Sequence, residues 1–231
     1  MFFRQEWDDP RLKFYGDAPL YLGEDLIQKV WVPDTYFENE KLANYHEMTR
    51  KNTLLRIESN GHVFYSIRIT MSADCPMDLA LFPFDSHACT IHLGSYAYTT
   101  KDILYKWNSE GPVQLSSAVN LPQFTLYGYA TSSRMLTYPL GDYSQLNIHF
   151  YLARQLSYYT VHTFLPASLI VVVSWISFWL PKHATPARVS LGITTVLSMT
   201  TVLGDSGSGL PKFSNINAMD IFLGMCLILY F

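Results

Sequence analysis

Hydroxyl-bearing side chains recur through an apolar stretch near the end of the chain, residues 180–203. Four of its residues fall on one face of a helix, because their spacings of four, three and four follow the helical period. They are Ser190, Thr194, Leu197 and Thr201. Lipid offers hydroxyl groups no hydrogen-bond partners, whereas a water-filled channel does. The sequence therefore predicts a helix that lines an ion pore when several copies surround one axis, with Leu197 as the apolar constriction and closed gate.

Charged side chains are distributed unevenly along the chain. Residues 1–157 carry 13 Lys/Arg and 17 Asp/Glu, whereas residues 158–231 carry five charged side chains in all. The net charge of −3 averages these two unlike parts and would by itself suggest an ordinary soluble protein. We therefore expect two domains, a charge-rich domain over residues 1–157 and a membrane domain over residues 158–231.

Three apolar runs follow one another in the second part of the chain. Residues 158–180 are long enough to span a bilayer with some tilt, and residues 186–204 form the second predicted span. Residues 217–231 are shorter than the roughly 20 residues that a helical span needs, so we expect an incomplete third span. Because the start of the chain also lacks the pattern of a signal peptide, we expect a fragment that is truncated at both ends.

The loop between the first two spans is basic. Lys182, His183 and Arg188 lie in or beside it, and no acidic residue accompanies them. Because cytoplasmic loops carry an excess of Lys and Arg, this loop is predicted to lie in the cytoplasm. Residues 1–157 are then extracellular, and we expect a multi-pass protein of the plasma membrane.

The outer domain has the pattern of short strands separated by turns. Apolar and polar side chains alternate through residues 144–152, as in a strand with one buried face. About six to eight such strands are recognisable, and no amphipathic helix of convincing length interrupts them. The predicted fold is an antiparallel, immunoglobulin-like β-sandwich followed by an all-α bundle of transmembrane helices.

A β-hairpin is predicted at Asn60-Gly61, which lies between two apolar segments. The length of its loop sets the register of the two strands. We expect a two-residue turn to place Arg56 opposite Tyr65, and a three-residue loop to place Arg56 opposite Ser66.

Two cysteines, Cys75 and Cys89, lie in the predicted extracellular domain with 13 residues between them. The oxidising environment allows them to form a bridge, which would contribute on the order of 3 kcal/mol for a loop of that size. Cys226 lies in the third apolar run and is predicted to be a small buried apolar residue.

Five motifs occur along the chain in one order. They are WVPDT at residues 31–35, CPMDLALFPFDSHAC at 75–89, GSYAY at 94–98, PAR at 186–188 and LPK at 210–212. In these motifs the chain resembles the Cys-loop receptors, the pentameric ligand-gated ion channels. The motifs are spread along the chain, so the resemblance covers essentially its whole length. The opening FFRQ at residues 2–5 and the 94–98 motif most resemble subunits of GABA-A receptors, particularly alpha-type ones and related invertebrate subunits.

The resemblance implies a pentamer of β-sandwiches above four transmembrane helices per subunit, with the 75–89 motif as the signature disulfide loop. It implies a small-molecule neurotransmitter as ligand, most of all GABA, and chloride as the permeating ion. It also implies other subunits of a heteropentamer as partners, a postsynaptic membrane as location, and no cofactor.

In this family the ligand lies between two subunits, and the resemblance assigns residues to both faces of the site. On the principal face these are Tyr36, Ser95, Tyr96, Tyr138 and Tyr143. On the complementary face they are Phe2, Arg4, Arg56 and Ser66. Tyrosine rings can hold an ammonium by cation–π contact, and arginine offers a carboxylate two parallel hydrogen bonds. Because Arg56 and Ser66 should both face the ligand, the three-residue hairpin loop is favoured.

Two residues depart from the family's pattern on the principal face. Gly94 lies where GABA-binding beta-type subunits place a glutamate that anchors the amine, and Leu140 lies where they place a threonine. These departures predict a weaker principal face and a better preserved complementary face. Glycine- and glutamate-gated anion channels carry a second cysteine pair in residues 131–143, and its absence from this sequence argues against those two ligands.

The resemblance also assigns ion selectivity and gating. Pro186-Ala187-Arg188 matches the anion-selective pattern at the inner mouth of the pore, where helix N-termini and arginines would attract anions. A charged cluster with an apolar wedge is expected to pass a rotation of the outer domain to the pore. The residues assigned to this coupling are Phe82, Pro83, Phe84, Asp85, Arg154 and Lys212.

Other classes of function find little support in the sequence. His87 and His92 lie five residues apart without a clear third ligand, so no metal site is predicted. The chain shows no nucleophile–base pair, no phosphate-binding glycine loop and no basic stripe, which argues against an enzyme and against nucleic-acid binding. Two alternatives stay open: gating by a biogenic amine, protons or another ligand, and a non-conducting structural or regulatory subunit.

Overall fold

The computed structural model describes residues 1–116, 119–181, 183–206 and 216–230, and the chain divides into two compact units. The first, called the sandwich unit below, comprises Met1–Cys75, Thr90–Gln114 and Ala130–His149. The second, called the helical unit below, comprises Pro76–Cys89, Leu115–Tyr129 and Phe150–Phe231.

Nine strands occur in the described residues and form two sheets. They are β1 (Phe2–Asp8), β2 (Leu20–Leu22), β3 (Thr35–Phe37), β4 (Glu40–Tyr45), β5 (Thr53–Ile57), β6 (His62–Ala73), β7 (Ser86–Ser95), β8 (Phe124–Tyr138) and β9 (Gly141–Arg154). The first sheet has the order β1-β6-β5-β2, with β4 also paired to β6, and the second has the order β3-β7-β9-β8. The predicted fold, antiparallel β-sandwich sheets followed by helices, is confirmed.

Side chains of the first sheet alternate between the core and the surface, because only one face of the sheet is covered. In β1, Phe3 and Trp7 pack into the core, whereas Phe2, Arg4 and Glu6 are exposed. The outward face of this sheet is therefore free to carry polar and charged groups.

Apolar side chains from both sheets meet inside the sandwich unit. The cluster that joins the sheets is formed by Phe37, Ile67, Ile69, Leu93 and Leu146, all of which are buried. Each fully buried side chain of this kind contributes roughly 1.5–3 kcal/mol relative to an exposed one. The half-buried alternation predicted for residues 144–152 is wrong in this part of β9, because Gln145 and Asn147 on its other face are buried as well as Leu146.

The hairpin between β5 and β6 has a three-residue loop, residues 59–61. Glu58 N donates to His62 O at 2.8 Å, and Gly61 N donates to Glu58 O at 2.9 Å. Gly61 has a φ of +89°, in the left-handed region where glycine costs little.

The register expected for this loop is wrong. Arg56 lies opposite Phe64, and Ser66 lies opposite Leu54. Glu58 and His62 flank the loop and face each other. Two residues back along the chain from Glu58 is Arg56, and two residues forward from His62 is Phe64, so these two are paired. Arg56 and Ser66 still share one face of the sheet, because side chains repeat every second residue.

Five α-helices are described: α1 (Glu24–Ile27), α2 (Ser157–Tyr159), α3 (Leu165–Ser174), α4 (Thr185–Ser206) and α5 (Ala218–Tyr230). A π-helical segment, Thr160–Phe164, joins α2 to α3, and 3-10 segments lie at Pro10–Leu12 and Trp175–Trp179. By length and composition, Ser157–Trp179 and Thr185–Asp205 can each cross a membrane. α5 is apolar but shorter.

The core of the helical unit combines helix residues with one aromatic residue from the segment between β6 and β7. Its buried members are Phe82, Ala167, Val171, Met199, Met219, Leu223 and Cys226. Phe82 is completely buried among residues of α3, α4 and α5. The segment that carries Phe82 is therefore part of the helical core.

We predict that Gly61→Ala destabilises the sandwich unit by about 1–3 kcal/mol, because the residue must hold a left-handed conformation. A Cβ at this position would also lie 2.6 Å from the Asp9 carbonyl oxygen. The matched control is Gly23→Ala, since a Cβ there meets no atom within 4 Å. Thermal unfolding midpoints of the purified variants test this, and equal midpoints for both would contradict it.

Candidate functional site

The residues predicted for the complementary face lie on the exposed face of the first sheet. Arg4 on β1 is opposite Ser66 on β6, and Leu54 on β5 continues this row on the other side of the serine. Phe2 precedes Arg4 by two residues and shares its face, with 67% of its surface exposed. Arg56 lies one row away from Ser66 on the same face. The sheet thus brings all four predicted residues together.

Both arginines on this face are held by neighbouring side chains. Arg4 Nη1 donates to Gln114 Oε1 at 3.1 Å, and Arg56 Nη2 donates to Glu58 Oε1 at 3.3 Å. The Arg56 guanidinium also lies 5.2 Å from the centre of the Phe64 ring. Its Nε is buried without a hydrogen-bond partner among the described residues. The guanidinium therefore keeps one unpaired donor, although that atom is shielded from solvent.

Two more charged residues occupy the same face and are missing from the sequence prediction, Glu6 on β1 and Arg68 on β6. Each lies two residues from a predicted residue, Arg4 or Ser66, so the period of a strand was a sufficient signal to find them. With Glu6 and Arg68 included, this face of the sheet carries one acidic and three basic side chains.

The four tyrosines predicted for the principal face cluster in the sandwich unit. Tyr36 and Tyr96 meet edge to face with ring centres 5.8 Å apart, and Tyr138 and Tyr143 do so at 5.7 Å. Burial raises the pKa of the Tyr36 hydroxyl, and the nearby Glu38 carboxylate and the other three tyrosines raise that pKa further. Glu38 and the other three tyrosines therefore lie within electrostatic reach of Tyr36. This arrangement can receive a cation.

The fifth residue predicted for the principal face, Ser95, is buried, and its hydroxyl is engaged within the chain. Ser95 Oγ donates to Asp34 Oδ1 at 2.5 Å and accepts a hydrogen bond from Tyr98 N at 2.9 Å. Ala97 N donates to Asp34 Oδ2 at 2.7 Å. These bonds fix the turn that presents the Tyr96 ring.

Gly94 lies directly opposite Tyr36 in the pairing of β3 with β7. A Cβ at Gly94 would lie 3.6 Å from Ser144 O and 3.9 Å from Tyr36 Cε1, which are ordinary contacts, so the site has room for a side chain. A carboxylate occurs nearby at Glu38, which directly follows β3 and accepts a hydrogen bond from Gln145 Nε2 on β9. Sequence reasoning missed Glu38, although it lies two residues from Tyr36 on the same strand face.

A buried ionic cluster lies in the helical unit. Arg154 donates two hydrogen bonds to Asp85, from Nε to Oδ1 at 2.6 Å and from Nη2 to Oδ2 at 2.8 Å. His87 Nε2 is hydrogen-bonded to Asp85 Oδ2. The Arg154 guanidinium lies 4.8 Å from the ring centre of Phe82 and 4.5 Å from that of Phe124. A carboxylate and two aromatic rings thus satisfy both the edge and the faces of this cation.

The charges of the cluster depend on each other. Burial alone would raise the pKa of the Asp85 carboxyl, but hydrogen bonds from Arg154 and His87 outweigh burial and hold that pKa below its usual value. Burial would lower the pKa of Arg154, and its bonds to Asp85 reverse this and raise that pKa. Both side chains are therefore charged at neutral pH, and removal of either would leave the other buried without a counter-ion.

The Phe82-Pro83-Phe84 segment ties the ionic cluster to the helices. Phe82 and Pro83 are fully buried, whereas Phe84 is mostly exposed. The Phe82 ring meets the Tyr159 ring edge-on at 5.0 Å, and the Phe82 carbonyl accepts a hydrogen bond from Met219 N at 3.2 Å. The segment therefore contacts both the first helical stretch and the first turn of α5.

Of the residues predicted for coupling, Lys212 lies outside the described residues, and the others gather around Asp85. The structure adds two partners that the sequence prediction missed, His87 and Phe124. His87 is two residues from Asp85 on the chain, but Phe124 is distant in sequence. No sequence period could have connected Phe124 with Arg154.

The predicted pore stripe lies on the exposed side of α4. Its members Ser190, Thr194, Leu197 and Thr201 are all exposed. Thr195 and Met199, on other sides of the helix, are buried. The hydroxyls of Thr194 and Thr201 bond back to the helix, from Thr194 Oγ1 to Ser190 O at 2.9 Å and from Thr201 Oγ1 to Ser198 O at 2.7 Å. The helix thus carries hydroxyl oxygens on the face that does not pack within its own unit.

The residues predicted for selectivity lie in the first turn of α4, which begins at Thr185. Pro186 and Ala187 are exposed, and Arg188 is half-buried. Arg188 Nη2 donates to the carbonyl of Leu180, so the guanidinium is held at the end of the preceding helical stretch. Its positive charge adds to the positive end of the α4 dipole.

Cys75 and Cys89 are disulfide-bonded, as the resemblance implies, and Cys226 is a free, buried thiol. No group of three or more potential metal ligands occurs in the part of the chain that the structure describes. His87 and His92 are each engaged in a hydrogen bond with another side chain.

Two family models match the chain. One, described as the neurotransmitter-gated ion-channel ligand binding domain, matches residues 1–156. The other, described as the neurotransmitter-gated ion-channel transmembrane region, matches residues 163–231. Together they span nearly the full length of the chain, and their order is that of the two parts of the sequence described above.

We predict that Asp85→Asn destabilises the helical unit by about 3–5 kcal/mol, because Arg154 is left as a buried charge without its counter-ion. The control is Asp78→Asn, which changes an exposed carboxylate of the same segment. The amide oxygen of the control variant can still accept the hydrogen bond that Ala80 N donates to this side chain. The thermal unfolding midpoint of the detergent-purified protein is the measurement. Equal midpoints for the two variants would show that the buried pair is not needed.

Proposed function

The chain belongs to the neurotransmitter-gated ion-channel family, and we propose that it is a subunit of an anion-selective channel that GABA opens in a heteropentamer. Members of the family are membrane-embedded ligand-gated channels, not enzymes. They bind a small-molecule neurotransmitter with an extracellular domain and assemble as pentamers. GABA as the ligand, chloride as the ion, unlike subunits as partners and a postsynaptic location are our proposals for this chain.

The observation that carries the proposed ligand is the exposed face of the first sheet, where Arg4 lies opposite Ser66 and Arg56 lies one row away. Guanidinium groups recognise carboxylates through parallel hydrogen bonds, and a serine hydroxyl adds a third donor. A carboxylate-bearing transmitter suits this complementary face. The Arg56 side chain supports the same assignment, since 36% of it is exposed and its contact with Glu58 is long, at 3.3 Å.

GABA carries an ammonium group as well as a carboxylate. We propose that the principal face of a neighbouring subunit receives the ammonium while this chain's arginines receive the carboxylate. Gly94 in place of an acidic residue supports a division of labour, in which a beta-type partner supplies the stronger principal face. The site then requires unlike subunits, which is the basis of the proposed heteropentamer.

We propose that anion selectivity arises at the first turn of α4. Five copies of this turn around an axis would direct five helix N-termini and five Arg188 charges toward the inner mouth. Ala187 is exposed there and carries no charge. Ser190, Thr194 and Thr201 would line the pore above it, with Leu197 as the apolar gate.

The ionic cluster around Asp85 is proposed to couple ligand binding to opening of the pore. Its support is that Arg154 precedes the first helical stretch, while Phe82 packs among the helices that include α4. A rearrangement of the segment between β6 and β7 would therefore change the packing against the pore helix α4.

A biogenic amine is a second candidate ligand. The four clustered tyrosines favour it, because aromatic rings hold an ammonium without any help from a carboxylate-binding arginine. Recordings with GABA, glycine, histamine and protons on the subunit, alone and with a beta-type partner, distinguish the two. Absence of current in every combination would instead favour a non-conducting regulatory subunit.

We predict that Arg56→Ala raises the GABA concentration for half-maximal current by roughly 10- to 100-fold, which corresponds to the loss of a charge-assisted bidentate contact. Arg50→Ala, which removes an exposed arginine outside this face, is the control and should leave the curve unchanged. Concentration–response curves in oocytes provide the measurement. A curve unaffected by Arg56→Ala would exclude this arginine from the site.

We predict that Ala187→Glu moves the reversal potential away from that of chloride and toward that of sodium, since a ring of five carboxylates would offset the positive inner mouth. Ala187→Gln has the same size without the charge and should keep chloride selectivity. Reversal potentials at several external chloride concentrations test both variants. Selectivity for chloride that survives in the glutamate variant would refute the assignment of selectivity to this turn.

A further inference from the structure

We propose that Glu38 is the counter-ion of the tyrosine cluster, so that this subunit's own principal face binds ammonium-bearing ligands despite the glycine at position 94. This inference rests on the proposed function, because it concerns the same ligand site. It names a specificity-determining residue and a ligand class, small organic cations with a primary or quaternary ammonium.

The first support is the geometry of the strand. Tyr36 and Glu38 are two residues apart, and the strand period places them on one face about 6.6–6.8 Å apart along the chain. Phe37 between them is buried in the core of the sandwich unit, which confirms that its two neighbours point outward. Both Tyr36 and Glu38 are exposed. A ligand on the Tyr36 ring therefore has the Glu38 carboxylate in the next row.

The second support is the way in which Glu38 is held. One carboxylate oxygen, Oε2, accepts a hydrogen bond from Nε2 of Gln145, a buried residue on β9. Tyr143 lies two residues before Gln145 on the same strand, so the row below the tyrosines is formed by Glu38 and Gln145. A buried amide thus orients the carboxylate and leaves its other oxygen for a ligand.

The third support is the absence of competition from the neighbouring acid. Asp34 also lies close in sequence, but both of its carboxylate oxygens accept hydrogen bonds, from Ser95 Oγ and Ala97 N. Glu38 has no cationic side chain among the ion pairs of the described residues. Burial raises the pKa of Tyr36, and the Glu38 carboxylate raises that pKa further, which agrees with a carboxylate close to the tyrosine rings.

The test compares Glu38→Gln with Glu40→Gln in receptors that contain the full-length subunit. Glutamine keeps the shape of the side chain and an oxygen that accepts from Gln145, so only the charge is removed. Glu40 is exposed on β4 and is a matched control two residues away. We expect Glu38→Gln to weaken the binding of tetramethylammonium several-fold, the effect of losing one charge-assisted contact, and Glu40→Gln to leave that binding within about twofold.

A rescue variant separates a charge effect from a structural one. Gly94→Glu in the Glu38→Gln background restores a carboxylate beside Tyr36, at a position where a Cβ makes ordinary contacts. We expect the double variant to recover most of the lost affinity for tetramethylammonium. Unchanged binding in Glu38→Gln, or a loss that Gly94→Glu does not restore, overturns the assignment of Glu38.

A binding measurement keeps this inference distinct from the proposed function. Tetramethylammonium, a cation without a carboxylate, is titrated calorimetrically into the purified protein, and Glu38→Gln should weaken its binding several-fold. If GABA evokes no current but tetramethylammonium binds and Glu38→Gln weakens that binding, the proposed gating fails and the assignment of Glu38 as counter-ion is supported. If GABA gates the channel and tetramethylammonium binding does not change in Glu38→Gln, the assignment of Glu38 fails and the proposed gating stands.

Discussion

The helical unit depends on one buried interaction, the double hydrogen bond between Arg154 and Asp85. Two charges with only 4% and 3% of their side chains exposed are stable together and unstable apart. Their pairing explains why the segment between β6 and β7 can carry a charge into an apolar core. Phe82 then packs among the helices beside the pair, and its carbonyl binds the first turn of α5. The position of this segment is therefore set by electrostatics as well as by apolar burial.

Three arginines show how the same side chain serves different purposes according to its surroundings. Arg154 is buried with its whole guanidinium satisfied, which suits a structural joint. Arg188 is half-buried and bonds to a carbonyl, so its charge is positioned without being cancelled by an acid. Arg56 is partly exposed, has a long contact with Glu58 and retains an unused donor. Arg188 Nε is likewise buried without a hydrogen-bond partner among the described residues, so what distinguishes Arg56 is its place on the exposed face of the first sheet.

The two exposed faces of the sandwich unit carry opposite chemistry. The first sheet presents arginines around Ser66, and the second presents tyrosines with Glu38 in the adjacent row. A subunit with both faces has one surface for an anionic group and another for a cationic group. This pairing suits a zwitterion held between neighbouring subunits, and it follows from strand alternation, since the same strands direct their other side chains into the shared core.

Local periodicity determined much of this protein from the sequence alone. The strand pattern predicted the sandwich, the helical spacing predicted the stripe from Ser190 to Thr201, and apolar length predicted the membrane helices. Loop closure and long-range packing decided the rest. The predicted pairing of Arg56 with Ser66 was wrong, because the three-residue loop closes over residues 59–61 and sets Arg56 opposite Phe64. The burial of Asp85 against Arg154, the Phe124 ring above the guanidinium, and Gln145 holding Glu38 join residues far apart in the chain. Such contacts have no sequence period, because only tertiary packing brings these residues together.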